Sequence, residues 1–191
     1  FSEKNKSDLT LLYVSNTDLY KHQWHVVSAV ELLRSKGIKL NLKLVGGGEG
    51  PAQERLIKQI ERSDPERKFI ELKSHVPYED IPSQHKSANI FIFASSCENM
   101  PNTLIEAMAA GMPIACSDRG PMPEVLKDGG LYFNPEEPGS IACAIQQLVD
   151  DENLRNELAK KAEYLSMNYS WNKCANETWA FLTKTYTLVK K

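Results

Sequence analysis

With 191 residues, 41% of them hydrophobic and 25% charged, the chain falls in the range of one folded globular domain and outside that of disordered, collagen-like or disulfide-rich proteins. Its 23 Lys and Arg residues nearly balance its 25 Asp and Glu residues. The formal net charge of −2 excludes a strongly basic surface that would capture nucleic acid or an anionic membrane at long range. An anionic ligand must therefore be bound by local groups.

The four cysteines form no metal-binding or disulfide pattern. They lie far apart and include no C-x-x-C pair, which fits a reducing cytoplasm. No apolar run approaches the roughly 18 residues of a membrane-spanning helix, and the polar start Phe1–Asp8 is unlike a signal peptide. We expect a cytoplasmic protein, or one attached peripherally to the inner face of the cell membrane in a full-length form.

Strand-like and helix-like segments alternate along most of the chain. Leu9–Ser15 and Leu40–Gly46 are apolar or alternating runs that predict strands. Between them, His22–Lys36 has apolar residues at helical spacing and precedes Gly37, a typical residue after a helix C-terminus. The alternation continues with helices at about Pro51–Glu61, Tyr78–His85 and Asn102–Ala110, and with strands at Phe69–Lys73, Asn89–Ala94, Pro113–Ser117 and Gly130–Phe133.

This alternation predicts an α/β fold. We expect a Rossmann-like, doubly wound parallel sheet of about six strands, in the order 3-2-1-4-5-6, with helices on both faces. A helical tail follows, with helices at Pro138–Val149 and Asp151–Asn168 and a last helix after Ser170 and Trp171. The apolar members of that last helix are expected to pack on the domain itself, or in part on a partner domain. They are Trp179, Phe181, Leu182, Tyr186 and Val189.

The domain organisation follows from these elements. Residues 9–191, including the tail helices at 138–191, are predicted to form one domain, and residues 1–8 a linker. The start without Met indicates a piece of a longer protein.

Two loops are predicted to form a ligand site. In a doubly wound sheet, ligands bind beyond the carboxyl ends of the strands, where the strand order reverses. This indicates the loops Ser15–Lys21 and Ser95–Pro101. The second loop leads into a helix at Asn102, where free amide groups are expected to hold a phosphate or a sugar oxygen. These amides belong to Asn102, Thr103 and Leu104.

Three charged side chains near these loops suit a glycosylated nucleotide. Lys21 would add a positive charge for a diphosphate, while the carboxylates of Glu98 and Glu106 would accept hydrogen bonds from sugar and ribose hydroxyls. The spacing alone leaves an ordinary reading open: Glu98 as an exposed loop residue, and Glu106 as the partner of a surface lysine.

A longer pattern resembles a known family. Residues 98–114, ENMPNTLIEAMAAGMPI, resemble the E-x7-E signature and the EAMAAG-x-P continuation of retaining glycosyltransferases of family 4. Weaker agreement extends from about Leu9 to Tyr186 and includes the Val45–Pro51 turn and Asn168–Trp171. The resemblance implies the C-terminal, donor-binding domain of the two-domain GT-B architecture, whose N-terminal acceptor-binding domain is absent from this sequence.

The resemblance also implies individual roles. Glu98 and Lys21 would be the catalytic residues, with Glu98 on the transferred sugar and Lys21 on the diphosphate. Glu106 would bind the ribose hydroxyls, and the backbone at 102–104 the distal phosphate and sugar. Val76 and Pro77 would flank the base.

Two positions depart from the family pattern. Asn16 stands where an arginine is usual, which implies lower donor affinity unless another cation such as Arg119 compensates. His22 stands where glycine is usual, so a loop of different shape is expected.

The implied activity is retaining, metal-independent transfer of a hexose from a UDP-sugar or GDP-sugar to a glycan or lipid-linked acceptor. No cofactor, metal or nucleic-acid partner is expected, and the isolated domain is expected to be inactive. Two alternatives stay open: a non-catalytic nucleotide-sugar-binding or scaffolding domain, which Asn16 favours, and a sugar-nucleotide epimerase of the same fold.

Other patterns are interpreted as structural. Gly46–Gly50 lacks the dinucleotide-binding spacing and predicts a tight turn with positive φ. His22 and His25 have no third ligand and are not expected to bind a metal. Met108 and Met112 are expected to be packing residues.

Overall fold

The structure is a computed structural model and describes residues 8–189, so the predicted linker lies almost entirely outside the described residues. Six parallel strands form one sheet in the order β3-β2-β1-β4-β5-β6. The strands are β1 (Leu9–Val14), β2 (Leu40–Val45), β3 (Ile70–Lys73), β4 (Ile90–Phe93), β5 (Ile114–Ser117) and β6 (Leu131–Phe133). The predicted fold class and strand order are confirmed.

Eight α-helices lie in the described part of the chain. They are α1 (Gln23–Ser35), α2 (Pro51–Ser63), α3 (Ile81–Lys86), α4 (Asn102–Ala109), α5 (Met122–Leu126), α6 (Pro138–Asp150), α7 (Glu152–Ser166) and α8 (Trp171–Val189). Two 3₁₀ turns, Leu19–Lys21 and Tyr78–Asp80, precede α1 and α3. The first turn was not predicted; it begins where the Asp18 carboxylate accepts a hydrogen bond from the Leu19 amide.

The core lies on both faces of the sheet. All four residues of β4 and of β5 are buried, as expected for central parallel strands that are covered on both sides. On the helical layers, α1 contacts α2 and α6, while α4 contacts α5 and α7. Met108 and Met112 are buried in this core, which confirms their packing role.

The last helix does not pack on the domain. Every described side chain from Trp171 to Leu188 is exposed, including Trp179 at 73% and Phe181 at 68%. The expectation that its apolar side chains pack on the domain is therefore wrong for those described; the Val189 side chain lies outside the described residues. Other helices already cover both faces of the sheet, so α8 finds no free apolar surface there.

The glycine-rich segment after β2 makes a close turn against the loop after β1. Gly46 has a φ of 129°, and a Cβ atom there would lie 2.0 Å from the carbonyl oxygen of Ser15. The Thr17 amide donates to the Gly47 carbonyl at 2.9 Å. The predicted tight turn is confirmed, and its role is to let two loops approach at the carboxyl edge of the sheet.

Candidate active site

The two loops predicted to form the site do meet. They follow β1 and β4, which are paired neighbours in the sheet. The Ser96 amide, in the second loop, donates a 2.8 Å hydrogen bond to the carbonyl oxygen of Tyr20 in the first. The contact lies at the carboxyl ends of the strands, where the strand order reverses.

Lys21 and Glu98 form an ion pair at this junction. Their side chains are only 9% and 15% exposed, so both charges are largely withdrawn from water. The Lys21 ammonium also lies 5.0 Å from the centre of the Tyr20 ring and 5.8 Å from that of Phe93. The ordinary reading of Glu98 as an exposed loop residue does not describe this arrangement.

The backbone of Lys21 is fixed by a buried tyrosine. Tyr13 Oη donates a 2.8 Å hydrogen bond to the Lys21 carbonyl oxygen. Burial raises the pKa of Tyr13 well above its ordinary value, so the phenol keeps the proton that it donates. The cation therefore sits on a segment tied to the centre of the sheet.

Glu106 lies on α4 and faces the segment before α3. Tyr78 Oη donates a 3.3 Å hydrogen bond to Glu106 Oε1, and Glu106 is half-buried. Burial raises the pKa of Glu106, an effect that the Tyr78 hydrogen bond opposes. Among the described residues no lysine pairs with Glu106. Val76 and Pro77, half-buried and exposed respectively, directly precede Tyr78.

The N-terminus of α4 offers fewer free amides than predicted. The Asn102 amide donates to the Met100 carbonyl at 2.9 Å, and the Leu104 amide donates to the Pro101 carbonyl at 3.0 Å. The expectation of three free donors is wrong for these two, because the turn through Pro101 folds the loop carbonyls back onto the helix start. The Thr103 amide has no acceptor among the described residues.

The described residues contain no cluster of three or more His, Cys, Asp and Glu side chains arranged to hold a metal ion. No helix in the described part of the chain is both long enough and apolar enough to cross a membrane.

The chain matches the family model described as glycosyl transferases group 1 over residues 1–164. It belongs to this family. The chain is 27% identical over 167 residues to the O-antigen chain mannosyltransferase B of Escherichia coli, covering 87% of this chain and 44% of that protein.

Two solved structures show the same fold. The C-terminal domain of a group 1 glycosyltransferase, LpcC, from Francisella tularensis has a TM-score of 0.74 at 19% identity and covers 84% of this chain and 85% of that one. Anabaena HepE, in complex with UDP and glucose, has a TM-score of 0.80 at 20% identity, and the match covers 93% of this chain and 48% of that one. The chain shares the fold of that C-terminal domain and spans less than half the length of the curated relative named above.

The first departure of this chain from its family pattern concerns the cations. Asn16 is exposed, and its carbonyl oxygen accepts a 2.9 Å hydrogen bond from Gln23. Arg119, the expected substitute, lies 3.4 Å from Asp118 and 3.9 Å from Glu136. Both cations thus have carboxylate partners, but the Lys21 side chain is nearly buried at the junction of the loops, whereas that of Arg119 is 45% exposed.

The second departure concerns His22, the residue that follows Lys21. His22 has φ 51° and ψ 28°, the left-handed conformation that glycine adopts most easily. A glycine at this position could adopt the same backbone conformation, and the expected difference in loop shape stays a prediction. The imidazole instead gains a contact, with Nε2 2.9 Å from Ser96 Oγ. The sequence analysis did not predict this contact. The one sequence signal for it was histidine at position 22, where the family pattern has glycine.

Proposed function

We propose that this chain is the donor-binding half of a retaining glycosyltransferase. The enzyme would transfer a hexose from a UDP-sugar or GDP-sugar to a glycan or lipid-linked acceptor held by an N-terminal domain. The observation that carries the proposal is the nearly buried Lys21–Glu98 ion pair at the point where the strand order reverses. The nearly buried cation would meet the diphosphate, and the carboxylate beside it would accept hydrogen bonds from the sugar hydroxyls.

The chemistry follows from the charges that develop in the reaction. As the bond between the sugar and the diphosphate breaks, negative charge grows on the phosphate oxygens and positive charge on the sugar. Lys21 and the Thr103 amide would stabilise the diphosphate, while Glu98 orients the sugar. Glu106 would accept hydrogen bonds from the ribose hydroxyls once Tyr78 moves aside. The acceptor would attack from the side of the leaving group, so no metal ion and no enzyme nucleophile take part.

Similar proteins support this choice of ligand. The HepE structure contains UDP and glucose, and the relative in Escherichia coli is named for mannosyl transfer. We therefore keep both uridine and guanosine donors in the proposal. Val76 and Pro77 would flank the base, which leaves base recognition largely to backbone groups.

Binding of the donor can be tested with the 191-residue chain. UDP, GDP, UDP-glucose and GDP-mannose should be screened by thermal shift, because a ligand that binds only the folded state raises the Tm. We expect a rise with one nucleoside diphosphate and its sugar. No rise with any of the four probes would overturn the proposal.

Catalysis is tested in the full-length protein. Lys21→Ala should lower kcat far more than it raises KM for the donor, because the charge that Lys21 meets develops in the transition state. Lys43→Ala is a matched control, since Lys43 is 15% exposed and lies 3.8 Å from Glu71 on the neighbouring strand. Unchanged turnover in Lys21→Ala would refute the role of Lys21.

A non-catalytic nucleotide-sugar-binding domain is the second candidate. It is favoured by the missing cation at Asn16 and by the carboxylates that surround Arg119. Nucleotide binding without transfer or donor hydrolysis by the full-length protein would select it. An epimerase, the third candidate, would convert the donor sugar without any acceptor.

A further inference from the structure

Besides the backbone hydrogen bond from the Ser96 amide to the Tyr20 carbonyl oxygen, two separate side-chain links join the loop after β1 to the loop after β4. One is the Lys21–Glu98 ion pair. The other is a hydrogen-bond chain, in which His22 Nε2 lies 2.9 Å from Ser96 Oγ and Ser96 Oγ lies 3.3 Å from the Tyr20 carbonyl oxygen. The second link is formed by groups to which the proposed function gives no task.

The protons in the hydrogen-bond chain follow from donor and acceptor chemistry. A carbonyl oxygen only accepts, so the Ser96 hydroxyl donates its single proton to Tyr20. Ser96 Oγ must then accept from His22, which places the imidazole proton on Nε2. His22 Nδ1 is buried with no hydrogen-bond partner among the described residues, as suits a bare nitrogen better than an N–H group. The site therefore accommodates the neutral, Nε2-protonated imidazole.

The surroundings of His22 also favour its neutral form. Its ring stacks on that of His25, with centroids 5.4 Å apart, and the positive charge of Arg55 on α2 also disfavours a second proton on His22. Burial and then His25 lower the pKa of His22, while Glu136 opposes them. His25 Nδ1 lies 3.0 Å from the Pro135 carbonyl and so carries the proton of its own ring.

The left-handed backbone of His22 would suit glycine better, so the histidine side chain must contribute something that glycine lacks. Glycine would adopt its left-handed conformation with less strain. Histidine supplies in exchange an imidazole that is only 8% exposed and reaches across to the other loop. The contact with Ser96 is thus what this position gains over glycine.

The donor would compete for one link and leave the other intact. Under the proposed function, on which this inference rests, the diphosphate draws Lys21 away from Glu98. The atoms of the hydrogen-bond chain take no part in that exchange. We propose that the His22–Ser96–Tyr20 chain holds the two loops together while the ion pair is open, so that Glu98 stays placed for the transferred sugar. His22 is then a positioning residue that acts through Ser96.

The first test needs no ligand. Glu98→Gln weakens the ion pair, and His22→Gly removes the imidazole at a backbone conformation that glycine accepts. Each single variant should raise amide hydrogen exchange in segments 16–22 and 95–101 less than about twofold, and the double variant more than about tenfold. Arg67→Gly is the matched control, because Arg67 is exposed and also has a φ of 51°. If the double variant shows only the product of the two single-variant effects on hydrogen exchange, the inference is overturned.

The second test opens the ion pair with nucleotide. In saturating UDP or GDP, Ser96→Ala should raise exchange in segment 95–101 more than about tenfold over wild type. Ser96→Thr keeps the hydroxyl and should stay close to wild type. Equal exchange in Ser96→Ala and Ser96→Thr would contradict the proposed link. This pair also keeps the test valid if His22→Gly fails to fold.

The third test measures catalysis in the full-length enzyme, as nucleoside diphosphate released from UDP-glucose or GDP-mannose. His22→Gly and Ser96→Ala should lower kcat about tenfold and leave the donor KM within about twofold. A purely structural role would lower the Tm and leave kcat unchanged. If wild type binds neither nucleotide, the proposed function fails, while the ligand-free test still judges the link. If wild type turns over and both variants keep its kcat, the link fails alone.

Discussion

Tyr78 Oη donates a hydrogen bond to Glu106 Oε1 across 3.3 Å, although the Tyr78 side chain is 74% exposed. The carboxylate proposed to bind ribose is thus already occupied by a side chain that water can release. Burial raises the pKa of Glu106, and a ribose diol would offer two donors in place of one. Tyr78 therefore competes with the donor for Glu106.

Removing this competitor should improve binding. We expect Tyr78→Phe to tighten nucleoside diphosphate binding about two- to fivefold, because Glu106 no longer has to release a hydrogen bond. Isothermal titration calorimetry measures the change. Tyr164→Phe, at an exposed tyrosine on α7, is the control. Weaker binding in Tyr78→Phe would mean that the hydroxyl contacts the nucleotide instead.

Neutralising the carboxylate itself should have the opposite effect. Glu106→Gln keeps the shape of the side chain but loses the charge that strengthens hydrogen bonds to ribose hydroxyls. We expect UDP or GDP to bind about tenfold more weakly. Glu157→Gln, at an exposed position of α7, should bind as wild type does. Wild-type affinity in Glu106→Gln would remove Glu106 from the donor site.

A positive charge at position 16 should restore the second cation that the family pattern supplies there. Asn16 is exposed on the loop that carries Lys21, so a longer side chain is accommodated. Asn16→Arg should tighten nucleoside diphosphate binding about three- to tenfold, and increasing salt should reduce the gain. Asn16→Gln controls for length without charge. An equal effect of both variants would show that charge is not what this position lacks.

Three histidines that are buried or half-buried predict how stability depends on pH. Burial lowers the pKa of His22, His25 and His85 below the ordinary value near 6.5. Below about pH 6.5 the unfolded chain therefore binds more protons than the folded one, and the free energy of unfolding must fall as the pH falls. Urea denaturation at pH 7.5 and 5.5 measures this loss.

One variant isolates a part of that pH dependence. His85 packs on Phe91 with ring centroids 5.7 Å apart, and its Nε2 atom is buried without a hydrogen-bond partner. His85→Leu removes one of the three titrating groups and should make the loss of stability between the two pH values smaller. His75→Leu, at an exposed histidine, is the control. A pH dependence as steep as that of wild type would contradict the prediction.

The sequence was sufficient to predict the fold and to predict that the two loops of the candidate site meet. Alternating strands and helices determine a doubly wound sheet, and the topology then brings the loops of Lys21 and Glu98 to one edge. Most predicted element bounds agree with the structure to within two residues. These features depend on local periodicity and on general rules of connection, both of which can be read from one sequence.

The contacts within the site could not be predicted in the same way. The pairing of Lys21 with Glu98 joins residues 77 positions apart and depends on the rotamers of two flexible side chains. The occupied amides of Asn102 and Leu104 depend on how the loop turns at Pro101. The exposure of α8 depends on which surfaces the other helices already cover. None of these three features produces a periodic pattern in the sequence.

Gly46 makes the proposed site sensitive to substitution at a residue that would touch no ligand. A methyl group at this position would collide with the Ser15 carbonyl, one residue before Asn16 and on the segment that leads to Lys21. The loop would have to move away from the sheet edge, and the cation would move with it. A substitution as small as alanine at residue 46 would thus resemble the loss of a catalytic residue in an activity screen, although the chemical groups of the site would all be present.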